Sequence, residues 1–216
     1  SVQGTAQKLA GYIGVPFEDV SYWAAGINHM AWFLEYKYRG QDAYPLIRQA
    51  MLVPEVYNQD IVKFEVLKYF GAFVSESSVH MSEYVPYFRR TPELIARHTS
   101  PEMWGVGPGD QSPEARRQRN EANRARQDAE LHEMVYGNAP VPMERSHEYC
   151  TRILDAIETN TPYMFNGNVP NTQLITNLPS KAVVEVPIVV DGCGLHPCHV
   201  GDLPEALAGL NRSNLR

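Results

Sequence analysis

A chain of 216 residues, 44% of them hydrophobic, is long enough to bury one sizeable core. Its net charge of −6 gives no basic footprint for nucleic acid, and no apolar run approaches the ~20 residues that cross a bilayer. Three unevenly spaced cysteines, Cys150, Cys193 and Cys198, do not make the dense, even set of a secreted disulfide scaffold and favour a reducing, cytoplasmic setting.

Along the chain, Ala6, Leu9, Ala10 and Ile13 recur at helical spacing before Gly14 and Pro16, which predicts a helix over 4–13. Residues 20–27 mix β-branched, aromatic and small side chains and predict a buried strand; 31–38 predicts a second, the two forming a hairpin-like pair. Helices are expected over 44–52 and 60–70, the latter with Ile61, Phe64, Val66, Leu67 and Phe70 on one face and Gly71 as its stop. Residues 75–87 read as a loop followed by a short helix. Pro101, Gly105, Gly107, Pro108 and Gly109 mark a surface loop between 99 and 113. From 113 to 136 charges of both signs interleave at helical spacing, the pattern of a solvated excursion helix.

An amphipathic helix is expected over 146–159, then short strands over 163–166, 174–176 and 183–190 in a small antiparallel sheet, and a last helix from 205. Cys193-Gly194-Leu195-His196-Pro197-Cys198-His199 has no common zinc spacing and reads as a Gly/Pro-stiffened loop. The fold class expected is α+β, with helices packed on a mainly antiparallel sheet and one long excursion helix.

The residues of chemical interest centre on Gly26-Ile27-Asn28-His29-Met30-Ala31-Trp32-Phe33-Leu34, where an imidazole stands among side chains of core type. Neutral histidine is the commonest side-chain metal ligand, and Gly26 permits close backbone approach to an ion or cofactor. Taken alone, a histidine beside aromatics is more often a hydrogen-bonded core residue.

Other blocks stand with it: Ser1-Val2-Gln3-Gly4-Thr5, the run from Phe64 to Gly71, the run from Ser75 to Phe88, and Asn168-Val169-Pro170-Asn171 followed by Asn177-Leu178-Pro179 and Val183-Val184-Glu185-Val186-Pro187. In this order they resemble glycoside hydrolase family 4 over nearly the whole chain, in its branch of melibiase-type α-galactosidases and related α-glucosidases. The resemblance implies that residues 1–216 are a partial C-terminal catalytic and metal-binding domain, built like the C-terminal domain of lactate dehydrogenase. An N-terminal Rossmann domain for NAD and the family's final helices would lie outside it; no Gly-x-Gly-x-x-Gly occurs in the sequence. On that reading the isolated segment is expected to be inactive.

The resemblance further implies NAD and Mn2+ or another divalent metal as cofactors, and α-glycoside cleavage by oxidation, elimination, addition and reduction at the sugar ring. By position it makes His29 a metal ligand whose companion cysteine precedes Ser1, and Tyr84 the catalytic base, with Tyr69 and Tyr87 as alternatives. A phenol is a weak base at neutral pH, and an adjacent cation would favour its phenolate. Ser1, Gln3 and Gly4 become cofactor contacts, and Asn28 and His80 substrate contacts. Glu76, Ser77 and Ser78 stay open between sugar binding and bonding the loop to itself, as do Asn168 and Asn171 between substrate contact and turn chemistry. The implied partner is a small-molecule glycoside, with no nucleic acid or membrane, and a homo-oligomer, dimer or tetramer, is expected at full length. Competing readings are an α-glucosidase or α-galacturonidase of the same family, an NAD-dependent 2-hydroxy-acid dehydrogenase, and an interaction module using the charged helix at 113–136.

Overall fold

Residues 2–98, 112–137, 139–140 and 149–215 are described by a computed structural model of the chain. Strands β1 (Val20–Ile27) and β2 (Met30–Tyr38) form the expected hairpin, closed by the Ile27–Met30 pair around Asn28 and His29. β1 also pairs with β6 (Val183–Asp191), and β6 with β5 (Tyr163–Pro170). The short strands β3 (Gln41–Asp42) and β4 (Phe73–Val74) add to β2, and β7 (Gly194–Pro197) adds to β6. Among the described residues all these pairings are antiparallel, in the order β3-β2-β1-β6-β5.

The sheet separates two cores. One face carries Ala24, Ala31, Phe33 and Tyr36 and is covered by α1 (Val2–Tyr12) through Val2, Ala6 and Leu9. The other carries Ala25, Ile27, Met30, Trp32, Val184 and Val186 and is covered by α9 (Glu205–Asn214) through Leu207, Ala208 and Leu210. In β2 the alternation of faces breaks: Trp23 opposes Glu35 but Ala24 opposes Phe33, so Leu34 is one residue too many. This β-bulge is what lets Tyr36 join Phe33 and Ala31 on one face although their numbers differ in parity.

Helix α4 (Ile61–Phe70) follows α2 (Tyr44–Ala50) and α3 (Pro54–Tyr57) and wedges between the cores, with Val62 and Val66 in one and Phe64 and Leu67 in the other. Its expected apolar face is corrected in part: Ile61 and Phe70 are only half-buried, whereas Val62 and even Lys63 are buried. Gly71 ends it in the left-handed conformation at φ 83°. α5 (Ser78–Tyr84) and α6 (Pro92–His98) follow.

α7 (Pro113–Tyr136) buries none of its residues and pairs Arg117 with Glu114 and Glu121, and Arg126 with Glu130, along its own surface. Those internal ion pairs make it the solvated helix the charge pattern predicts. No helix among the described residues is long and apolar enough to cross a membrane.

Several expectations shift. The sheet is one continuous unit, because β6 joins β1 to β5 instead of seeding a separate small sheet. Residues 174–176 form no strand: Ile175 makes a single bridge to Gly201, while the buried Asn171 amide donates to the carbonyls of Ile175, Leu178 and Pro179 and folds the segment into a turn. The stretch read as a loop at 193–199 contains β7, since the Asp191–Gly194 pair closes a two-residue hairpin. The loop expected from 99 lies outside the described residues as far as 111. α8 (Cys150–Thr159) occupies the described part of the helix expected over 146–159.

Candidate active site

The hairpin tip carries the first site residue. Asn28 is exposed and His29 half-buried, and His29 holds a left-handed φ of 64°. A non-glycine residue there costs roughly 1 kcal/mol, so the position retains histidine against a local backbone preference. Gly26 is required for a reason other than approach to a ligand: a Cβ would stand 2.2 Å from the Met30 carbonyl oxygen. Beneath the tip, the buried Asn211 of α9 accepts from Trp32 Nε1 at 2.9 Å and donates to the Met30 carbonyl at 2.9 Å.

Residues 75–77 lie against this tip. Ser75 N donates to the Ala31 carbonyl at 2.8 Å, and Thr5 of α1 donates its hydroxyl to the Ser75 carbonyl at 2.5 Å. Glu76 is thereby brought to His29 and hydrogen-bonds its Nδ1. Burial opposes the Glu76 charge, yet the Ser77 amide, then His29 and His80, outweigh it and hold the carboxyl below the usual range. Ser77 caps α5, its Oγ accepting from His80 N at 3.3 Å. α5 then presents His80 and Tyr84, four residues apart and so on one helix face, to the hairpin tip. The His80 ring stacks on His29 with centroids 5.4 Å apart, and the Tyr84 ring stacks at 5.7 Å. α9 braces this side as well, since Asn214 donates to the Tyr84 carbonyl at 3.2 Å.

Ligand atoms of His29, Glu76 and His80 lie within 4.8 Å of one another, the group among the described residues that could hold a metal ion. Gln3 and Gly4 stand in the first turn of α1, whose Thr5 is tied to Ser75 beside Glu76. Ser1 lies outside the described residues. Of the alternatives to Tyr84, Tyr69 is 72% exposed on α4, and Tyr87 packs against Phe70; neither ring stacks on His29.

One carboxyl was not singled out by the sequence reading. Glu185 occupies β6 opposite Gly26, half-buried, and its charge interacts with Glu76 and His29. Burial foremost, with Glu76 adding, pushes its pKa up to about 7. A lone acid between Val184 and Val186 in an expected strand was the available signal.

A second polar cluster lies deeper. Asp60 is contacted by Lys8 at 2.9 Å, Lys63 at 3.5 Å, the Tyr12 hydroxyl at 2.7 Å and the Ser78 hydroxyl at 3.1 Å, tying α1, α4 and α5 together. Lys63, 2% exposed, has its pKa pulled down to about 8 by burial, against the pull of Asp60.

Residues 24–216 match the family 4 glycosyl hydrolase C-terminal domain. An alpha-galactosidase of Bacillus subtilis is 43% identical over 218 residues, which cover 100% of this chain and 48% of that protein. The structure of the lplD protein of Bacillus subtilis superposes with a TM-score of 0.77 at 24% identity, over 99% of this chain and 51% of that one. A 6-phospho-alpha-glucosidase from gut microorganisms, solved with NAD and Mn2+, superposes at 0.65 with 19% identity, over 96% and 47%. The chain spans about half the length of the curated relatives it matches. With residues 24–216 inside that domain, the chain belongs to the family 4 glycosyl hydrolases.

Proposed function

We propose that this chain is the metal- and substrate-binding half of a glycosidase that hydrolyses α-galactosides with NAD and a divalent cation, Mn2+, as cofactors. The observation that carries the reading is the convergence of His29, Glu76, His80 and Tyr84 on one hairpin tip, in a chain 43% identical over its whole length to an alpha-galactosidase.

Two imidazoles and a carboxylate are donor types suited to Mn2+ and its first-row neighbours, and their close grouping fits a single ion. Glu76 hydrogen-bonds His29 Nδ1, so the carboxylate and the imidazole already stand side by side. When bound, the nicotinamide supplies a reversible hydride acceptor and the cation a Lewis acid for neighbouring sugar oxygens. As the phenolate, Tyr84 Oη would take the proton from the sugar carbon next to the anomeric centre. His80 and Asn28, both exposed at the rim, receive sugar hydroxyls. Ser1, Gln3 and Gly4 are assigned to the cofactor side, Gln3 and Gly4 lying in the first turn of α1. Arg89 gives its guanidinium to Ser82 Oγ, the Val79 carbonyl and Glu83, an internal use that supports an uncharged sugar over a 6-phosphate.

The test is the full-length protein on nitrophenyl α-galactoside, α-glucoside and α-galacturonide, with NAD+ and Mn2+. The galactoside is expected to turn over fastest, with chelation abolishing hydrolysis and Mn2+ restoring it. Hydrolysis that persists after both cofactors are removed would refute the reading.

A further inference from the structure

We propose that Glu185 and Asn168 form a polar ledge beside the His29 cluster that binds hydroxyl groups of the sugar ring, an assignment that rests on the glycosidase reading. Ala31, Gly26, Glu185 and Asn168 are consecutive partners across β2, β1, β6 and β5. Directly opposed residues of an antiparallel sheet place their side chains on one face. Ala31 is buried beneath α1 and Gly26 has no side chain, so Glu185 and Asn168 are the first functional groups along this row. The neighbours Val184 and Val186 face the opposite core.

A half-buried carboxyl is costly without a partner, yet Glu185 accepts no hydrogen bond from the described residues. No fully buried side-chain oxygen or nitrogen among those residues lacks a partner, so the Glu185 oxygens are not completely sealed from solvent. Glu185 stands outside the group whose ligand atoms lie within 4.8 Å, while its charge still interacts with His29 and Glu76. It borders the cation site without completing it. The Glu185 carboxyl offers acceptor oxygens, and the exposed Asn168 amide both donates and accepts. Adjacent hydroxyls on a sugar ring match such a pair.

The experiment uses the full-length protein with NAD+ and Mn2+ on nitrophenyl α-galactoside, comparing wild type, Glu185→Gln and Asn168→Ala, with Mn2+ affinity measured alongside. Glu185→Gln is expected to raise KM roughly tenfold, with kcat and Mn2+ affinity changed less than about threefold. Asn168→Ala, at an exposed position that tolerates replacement, should raise KM by about threefold. Unchanged KM in both variants, or loss of Mn2+ binding in Glu185→Gln, overturns the ledge. If Glu185→Gln does not fold, the Asn168→Ala KM decides alone. A wild type inactive on every neutral α-glycoside sinks the glycosidase reading separately. Calorimetry with free galactose then decides for the ledge: binding weakened by either variant upholds it, and equal or absent binding overturns it.

Discussion

Two polar clusters, both built where α5 meets its neighbours, differ in how completely the protein satisfies them. Around Asp60, itself 3% exposed, four side chains close on one carboxylate and leave nothing for a ligand. Around His29, with its side chain 38% exposed, the ring bonds Glu76 on one edge and, among the described residues, stacks with His80 and Tyr84. Buried ionic groups that are fully paired hold a structure in register, whereas polar groups left half-satisfied at a strained turn mark where something else binds. The first cluster fixes α1 and α5 relative to one another; the second uses that alignment.

The largest expected effect breaks the first cluster. Asp60→Ala leaves Lys63 without its carboxylate partner in the core and should cost about 3–5 kcal/mol, read as a large fall in melting temperature. A melt shifted by less than a degree would show that the pin is idle.

The sharpest contrast comes from His29→Gly. Glycine accepts the left-handed φ without strain, so stability should stay level or rise by about 1 kcal/mol while activity falls on the order of a hundredfold or more. The parallel measurements are thermal melting and steady-state turnover; loss of both together would place His29 in the structural class instead.

A third outcome concerns pH. The folded-state pKa of Glu185 is raised to about 7 from a reference of 4.5, so the native state binds more protons than the unfolded state between those values. Stability should therefore fall as pH rises through that window, by on the order of 1–3 kcal/mol in the metal-free protein. Melts of wild type and Glu185→Gln at pH 4.5 and 8 check it: the gap between the two pH values should shrink in the variant.

The smallest effect lies on α7, where Arg117→Ala should change stability by less than about 0.5 kcal/mol because its ion pairs are exposed. A larger loss of stability would mean that the helix packs on something.

Local pattern made much of this legible. The hairpin over residues 20–38, the glycine stop at 71 and the charge rhythm of α7 each depend on neighbours in sequence, and the structure places them within a few residues. The grouping of His29, His80 and Tyr84 could be anticipated only because the family motifs bring them along together; no periodicity links a hairpin tip to a helix some fifty residues later. What stayed hidden depends on contacts between distant elements. Lys63 is absent from the expected apolar face, yet α4 is wedged between two cores and buries it. Glu185 was read with its valine neighbours, and its significance appears only once β6 is seen beside Gly26. The turn at Asn171 likewise owes its shape to one buried amide that strand propensity does not register.

The extra residue in β2 has a wider consequence. Removing Leu34 would restore strict alternation, and Phe33 and Tyr36, then two positions apart, would still share a core. Deleting a residue between the bulge and the tip, Ala31 or Trp32, would instead slip that stretch by one position, carrying Met30 past the Asn211 amide and swinging the turn that bears the imidazole. Residue count between the bulge and the tip thus governs where the chemistry points, and single-residue deletion should be tolerated at Leu34 and not at Ala31 or Trp32.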